Sequence, residues 1–305
     1  MNELESAILK TLVYFDIFAY PLTAWEIWKW LYGQKAEFFE VEKALQNSQA
    51  LRGQLEMTSG FYHLASRGGT VRSRQDRYEL ALQKFQIAQP FIKKLSRLPY
   101  VKFVAICNSL GLFNAQGPSD IDLFIVVKPG HIWTARLLAA GYAKLRKLRP
   151  TQKFRQNKFC LSFYLTEDAL NVQPLLFPVD PYFAFWLATL VPVFDPEKIL
   201  ERLYASNAWL FQILPNLLPR NIARQREIAR SNLQTLGEKF FNFGFWEKLA
   251  EKLEQKWLPS NLKKLANLDS RVVLNDQVLK FHDNDRRQEY ARLFQAKLQT
   301  LGLNV

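Results

Sequence analysis

Asp120 and Asp122 are separated by a single isoleucine in an otherwise apolar run, Ile121 to Val127, of this 305-residue chain. In a strand, residues at i and i+2 point to the same side of the sheet. Ile121 and Leu123 to Val127 are what a buried strand requires. Two neighbouring negative charges in such a strand repel each other and cost desolvation energy, so the pair calls for a cation. A hard divalent ion held by two carboxylates at a strand end can in turn hold the phosphates of a nucleoside triphosphate. Upstream, a second apolar run, Phe103 to Ile106, breaks at Asn108 and Ser109. A connection through Gly111, Asn114, Gly117 and Pro118 leads on to the aspartates.

Strand, serine-bearing turn, spacer and Ser-Asp-Ile-Asp-Leu-Phe together resemble the signature of the DNA polymerase beta-like nucleotidyltransferase superfamily, over roughly Leu98 to Leu170. The resemblance implies a mixed-sheet α/β core with Mg2+ as cofactor. Asp120 and Asp122 would be both the metal-binding and the catalytic pair. Asn108 and Ser109, with the amides that follow, would hold the β- and γ-phosphates. Lys128 and Lys158 are candidates for charge neutralisation. The family turn carries Gly where this chain has Asn108, the non-glycine residue that best tolerates a left-handed backbone. The family also has a third carboxylate in a later strand. The candidate strand here, Phe159 to Leu165, has no acid, and Ser162 stands where one is expected. Glu167, Asp168, Asp283 and Asp285 are the candidates to reach in from elsewhere.

The activity so implied is transfer of a nucleoside monophosphate from a nucleoside triphosphate to an acceptor hydroxyl, with release of pyrophosphate. The acceptor could be a small molecule, a protein side chain or an RNA end. Asn108 and the acid-free strand favour the alternative, a catalytically silent nucleotide- or RNA-binding regulatory protein on the same fold. In a plainer reading the aspartates cap a turn at the start of a surface strand.

Hydrophobic residues make up 49% of the chain and aromatics 14%, which supplies ample core and excludes wholesale disorder. The longest apolar stretch, Tyr182 to Phe194, is too short and too proline-bounded to span a bilayer, so no membrane partner is expected. The two cysteines, Cys107 and Cys160, sit in apolar strands and offer no zinc spacing. With no signal-peptide core at the start, a cytoplasmic location is expected.

The formal charge of +13 is unevenly distributed. Residues 1–66 carry 5 Lys/Arg against 8 Asp/Glu, whereas residues 67–98 carry 8 against 2. The expected organisation follows this division. Residues 1–66 read as three helices and a hairpin (Gln54 to Thr58, Phe61 to Ala65), the order of a winged helix, which this segment resembles. DNA contact would follow by analogy, but Glu37, Glu40 and Glu42 on the third helix repel phosphate. Residues 67–98 read as a basic linker helix packed through Leu80, Phe85, Ile87, Phe91 and Leu95. Residues 99–178 form the transferase-like core, and residues 179–305 a mainly helical region. In the core, Lys144 to Lys158 holds seven Lys/Arg in fifteen residues with no acid. That run is either a solvated loop at a helix C-terminus or a phosphate contact beside the aspartates.

Overall fold

The computed structural model describes residues 1–151, 153–220, 228, 231–241 and 244–304. They form a mixed α/β fold. It begins with α1 (Glu3–Asp16), α2 (Ala24–Lys29), α3 (Phe38–Asn47), β1 (Leu55–Thr58) and β2 (Phe61–Leu64). Next come α4 (Gly69–Leu95), β3 (Val101–Ile106), α5 (Asn108–Gly111), β4 (Ile121–Val127), α6 (Ile132–Leu145) and β5 (Phe159–Thr166). Then follow α7 (Pro181–Ala188), β6 (Val191–Phe194), α8 (Ile199–Ala205), α9 (Trp209–Ile213) and α10 (Asn232–Phe240). The chain continues through α11 (Gly244–Trp257), α12 (Ser260–Leu265), β7 (Val272–Leu274), β8 (Val278–Phe281) and α13 (Arg287–Thr300).

β3 to β8 build a six-stranded sheet in the order β6-β3-β4-β5-β8-β7. β4 and β5 run parallel, joined through α6, and the other neighbours are antiparallel. This alternation collects the ends of β3 and β8 and the starts of β4 and β5 at one edge of the molecule. Strands apolar on both sides need cover on both faces. Phe103, Ala105, Phe124 and Val126 pack with α7, whereas Val104, Ile106, Leu123 and Ile125 pack with α4 and α6.

The buried stripe of α4 is Ala81, Phe85, Ala88, Ile92 and Leu95, spaced four, three, four and three. Ile87, expected in that stripe, is exposed, because it lies one position off this spacing. Several cations of α4 are internal ties. Arg74 makes a bidentate pair with Glu26 (2.7 and 2.8 Å), and Arg77 donates to the Phe18 carbonyl and to Asn114, each at 3.1 Å.

The first two helices start with reciprocal caps, Asn2 with Glu5 and Thr23 with Glu26. The N-terminal helices share a core with the sheet: Tyr14 stacks on Phe185 at 3.9 Å, and Asp16 accepts from Arg67 and Lys297. The 197–217 segment, expected as one amphipathic stretch, is divided into α8 and α9. Buried Asn207 between them satisfies the Val172 amide and the Leu170 and Leu203 carbonyls, competing with helix continuation. The range 220–265, which reads from the sequence as two helices separated near Asn242 to Gly244, holds three among the described residues, α10, α11 and α12. Residues 221–227, 229–230 and 242–243 of that range lie outside the described residues. Glu247 on α11 accepts from the Trp133 and Thr134 amides, capping α6, and Glu254 pairs with buried Arg136. These ties fix α6, and with it the basic run that leaves its C-terminus. Among the described residues no helix is long and apolar enough to cross a membrane.

Candidate metal site at the sheet end

At the collected strand ends, ligand atoms of Asp120, Asp122 and Cys160 all lie within 4.8 Å of one another. The parallel register sets Cys160 opposite Asp122, and the Cys107 amide donates to the Asp122 carbonyl at 3.1 Å. Asn108 takes the left-handed backbone that its residue type allows (φ 56). Its side chain donates to the Asp122 carboxylate, and Ser109 lies beside it, half-buried. Burial first, and the Asp120 charge second, push the Asp122 carboxyl up to about 6. Burial and Asp122 push the Cys160 thiol well up, so it stays protonated at neutral pH and is no nucleophile. Asp120 is also held by Arg155 at 2.9 Å, an arginine whose side chain is 63% exposed.

A register shift in β5 sets three of its residues against two of β4, so Leu161 and Phe163 face opposite sides. Cys160 donates to Ser162 at 3.3 Å, and Ser162 meets His282 Nε2 at 3.0 Å. Burial, then Lys280, lowers His282 to about 3, so its imidazole is neutral. His282 and Asn108 line a cavity of about 180 Å³, walled by Tyr182, Trp186 and Tyr290. Arg286 covers the Tyr290 ring at 4.9 Å. A second cavity, of about 890 Å³, includes Arg155 and Lys158. Each carboxylate is thus bonded to a residue lining a different cavity.

Buried Lys84 binds both loops that shape the site. Its ammonium donates to the Gly117 and Ser119 carbonyls (3.2 and 2.7 Å) and to Asn157 (2.9 Å). Gly111 closes the turn after Asn108 against the end of α7. A Cβ there would stand 2.9 Å from the Thr189 carbonyl oxygen, and Arg220 donates to both the Gly111 and Thr189 carbonyls (2.8 and 3.2 Å). Gly111→Ala is expected to destabilise the fold by about 1–3 kcal/mol, because backbone must move to admit the methyl. Urea unfolding measures this, and an unchanged midpoint would contradict the close approach.

Of the residues expected from the sequence, Asp120, Asp122, Asn108 and Ser109 stand together; Lys158 adjoins them through its backbone carbonyl, which accepts from the Ile121 amide, and its ammonium donates to the Lys147 carbonyl at 2.8 Å. Lys128 stands apart: it follows β4 at the opposite end, against Tyr100. The expected third carboxylate also needs correction, since none of its four candidates joins the group. β5 runs parallel to β4, so Glu167 and Asp168 emerge about 25 Å from its start. Glu167 pairs there with Arg202. Asp283 accepts from Asn261 (2.6 Å), and Asp285 is held by Lys280 and Arg287, each at 2.9 Å. Cys160 fills the third corner. The strand-helix-strand order carried that signal, because parallel pairing puts the first residues of β5 beside the first of β4. Arg155 and His282 had no comparable signal: their positions depend on a loop path and on the last strand to join. No family model, curated protein or solved structure matches the chain in the comparisons made.

Proposed function

We propose that this chain is a divalent-cation-dependent nucleotidyltransferase, with Mg2+ as the cation and Asp120 and Asp122 as its ligands. The observation that carries the reading is the convergence of these carboxylates with Cys160 beside the Asn108–Ser109 turn. The donor set fits such an ion. Two oxygen ligands suit a hard cation, the protonated thiol adds no charge, and burial beside Asp120 raises the Asp122 carboxyl despite Arg155 nearby. When bound, the ion would polarise the α-phosphate and offset the charge of the departing pyrophosphate. Asn108 orients the Asp122 carboxylate, and the first-turn amides of α5, which have no intrahelical acceptors, face the phosphate role with Ser109. Arg155 and Lys158 would balance pyrophosphate charge.

The acidic α3 keeps DNA contact outside this proposal. A second reading, a silent nucleotide- or RNA-binding protein, is favoured by the Arg155–Asp120 pair and by Cys160 at the third corner. The two are separated by incubating the protein with each α-labelled nucleoside triphosphate, Mg2+ and cell extract. The transferase reading expects label in an acceptor and released pyrophosphate, both absent without Mg2+. Bound but unconverted nucleotide would favour the silent protein.

A further inference from the structure

The larger cavity holds more cations than Arg155 and Lys158, the two that the metal site uses. Lys144, Lys147, Arg149, Lys153, Arg155 and Lys158 line it, with no acid among its described lining residues. Six cations around one concavity repel each other, and the loop carrying most of them is held in place. The Phe159 amide bonds the Leu148 carbonyl, the Asn157 amide bonds the Ser119 carbonyl, and Lys84 holds Asn157. Such a surface is complementary to a chain of phosphates. Phe154 also lines it. Its ring is 70% exposed, and its backbone is fixed by Thr151 through bonds of 2.9 and 3.1 Å. An aromatic ring held in the open among cations is the arrangement on which unpaired bases stack.

From this we infer that the basic cavity between α6 and β5 binds single-stranded nucleic acid, with Phe154 as the stacking platform and the surrounding cations on the phosphates. A volume near 890 Å³ admits a few unpaired nucleotides, whereas the bases of a duplex are already stacked on one another and offer Phe154 no open face. Arg155 links this cavity to the aspartates. A strand phosphate competes with Asp120 for the guanidinium, whose side chain is largely exposed and so stays within reach of the phosphate. Strand binding therefore frees Asp120 and tightens divalent-cation binding, and by linkage the cation tightens strand binding by the same factor. The cation half of this coupling rests on the proposed role of Asp120 and Asp122, whereas strand binding does not.

The test uses a fluorescein-labelled, unstructured 12-nucleotide RNA, its duplex form and anionic phospholipid vesicles, with the full-length chain in EDTA. The single strand is expected to bind at least about tenfold more tightly than the duplex, with a log–log salt slope of about −2 to −3, as for three or four phosphates. Phe154→Ala should weaken it by about 5- to 150-fold, the range for one stacked base. Lys147→Ala and Lys153→Ala should each flatten the slope by about 0.7. All three residues are exposed, and unchanged thermal unfolding verifies that the variants fold. Equal affinity for strand and duplex, binding to vesicles alone, or no loss in Phe154→Ala would each overturn the site. In a second arm, saturating oligonucleotide should tighten Mn2+ binding by up to about fivefold in the wild type and not in Arg155→Ala. Strand binding that persists in EDTA without this coupling would refute the cation link and leave the strand site standing.

Discussion

The variant Asp120→Asn/Asp122→Asn is expected to lose the proposed nucleotidyl transfer by at least about 10³-fold and yet, without metal at pH 7.5, to be more stable than the wild type. Both effects come from the same electrostatics. The carboxylates are held together with little to balance them, so folding without a cation works against their charge. Asp122 carries most of the penalty, since burial and Asp120 raise its carboxyl from 3.8 to about 6. A folded-state pKa above the unfolded value means that the folded protein binds the proton more tightly. The stability from this group is therefore complete below about pH 3.8 and is lost as pH rises through about 6, by on the order of 2–3 kcal/mol. Asparagine removes that loss. The exchange also breaks the Arg155–Asp120 pair, but an exposed arginine contributes at most about 1 kcal/mol. Urea unfolding in EDTA at pH 4 and pH 7.5 reads the effect. The gap between variant and wild type should open with rising pH, and a gap independent of pH would show that the carboxylates are not strained.

Arg287→Met is expected to cost about 3–5 kcal/mol, a large share of the 5–15 kcal/mol that holds a typical domain together. Arg287 is 4% exposed and lies between the Phe177 and Phe183 rings, at 4.3 and 5.1 Å. Its guanidinium donates to Asp285 (2.9 Å), Asp180 (2.8 Å), the Leu175 carbonyl (2.9 Å) and Ser270 (2.8 Å). Methionine keeps much of the packing but leaves two buried carboxylates short of a partner. Burial alone would raise Asp285, yet Arg287 and Lys280 hold it at about 2. That depressed value contributes stability above about pH 3.8, which is lost as pH falls through about 2. Arg287→Met should therefore be destabilised at neutral pH and lose less than the wild type on acidification. Asp180 caps α7, which carries the cavity wall Tyr182, Phe183 and Trp186, so the proposed transfer should fall along with stability. In an Asp180→Asn background the same substitution should cost clearly less, because one of the stranded charges is gone. Equal costs in the two backgrounds would contradict the network.

What could be read from the sequence followed local pattern. The runs around Ala105 and Phe124 announced buried strands, and the spacing of Asp120 and Asp122 announced two carboxylates side by side. What could not be read depends on contacts far apart in the chain. Whether Asp283 or Asp285 reaches the aspartates is decided by Asn261, Lys280 and Arg287, none of which advertises its partner. The bulge in β5 changes which residues face the site without altering the composition of the strand. The cations of α4 read only as those of a basic linker helix, and Arg74, Arg77 and Lys84 are internal ties to Glu26, Asn114 and Asn157. Only the assembled sheet end reveals that an arginine from the basic run rests on Asp120.

The central claim, that Asp120 and Asp122 grip a divalent ion, is tested most directly by titrating the protein with Mn2+ and following the free ion by electron paramagnetic resonance. One ion should bind per chain at pH 7.5, about tenfold more weakly at pH 5 where Asp122 must first lose its proton, and not measurably in Asp120→Asn/Asp122→Asn. Binding of equal strength in the wild type and the double variant would contradict the account.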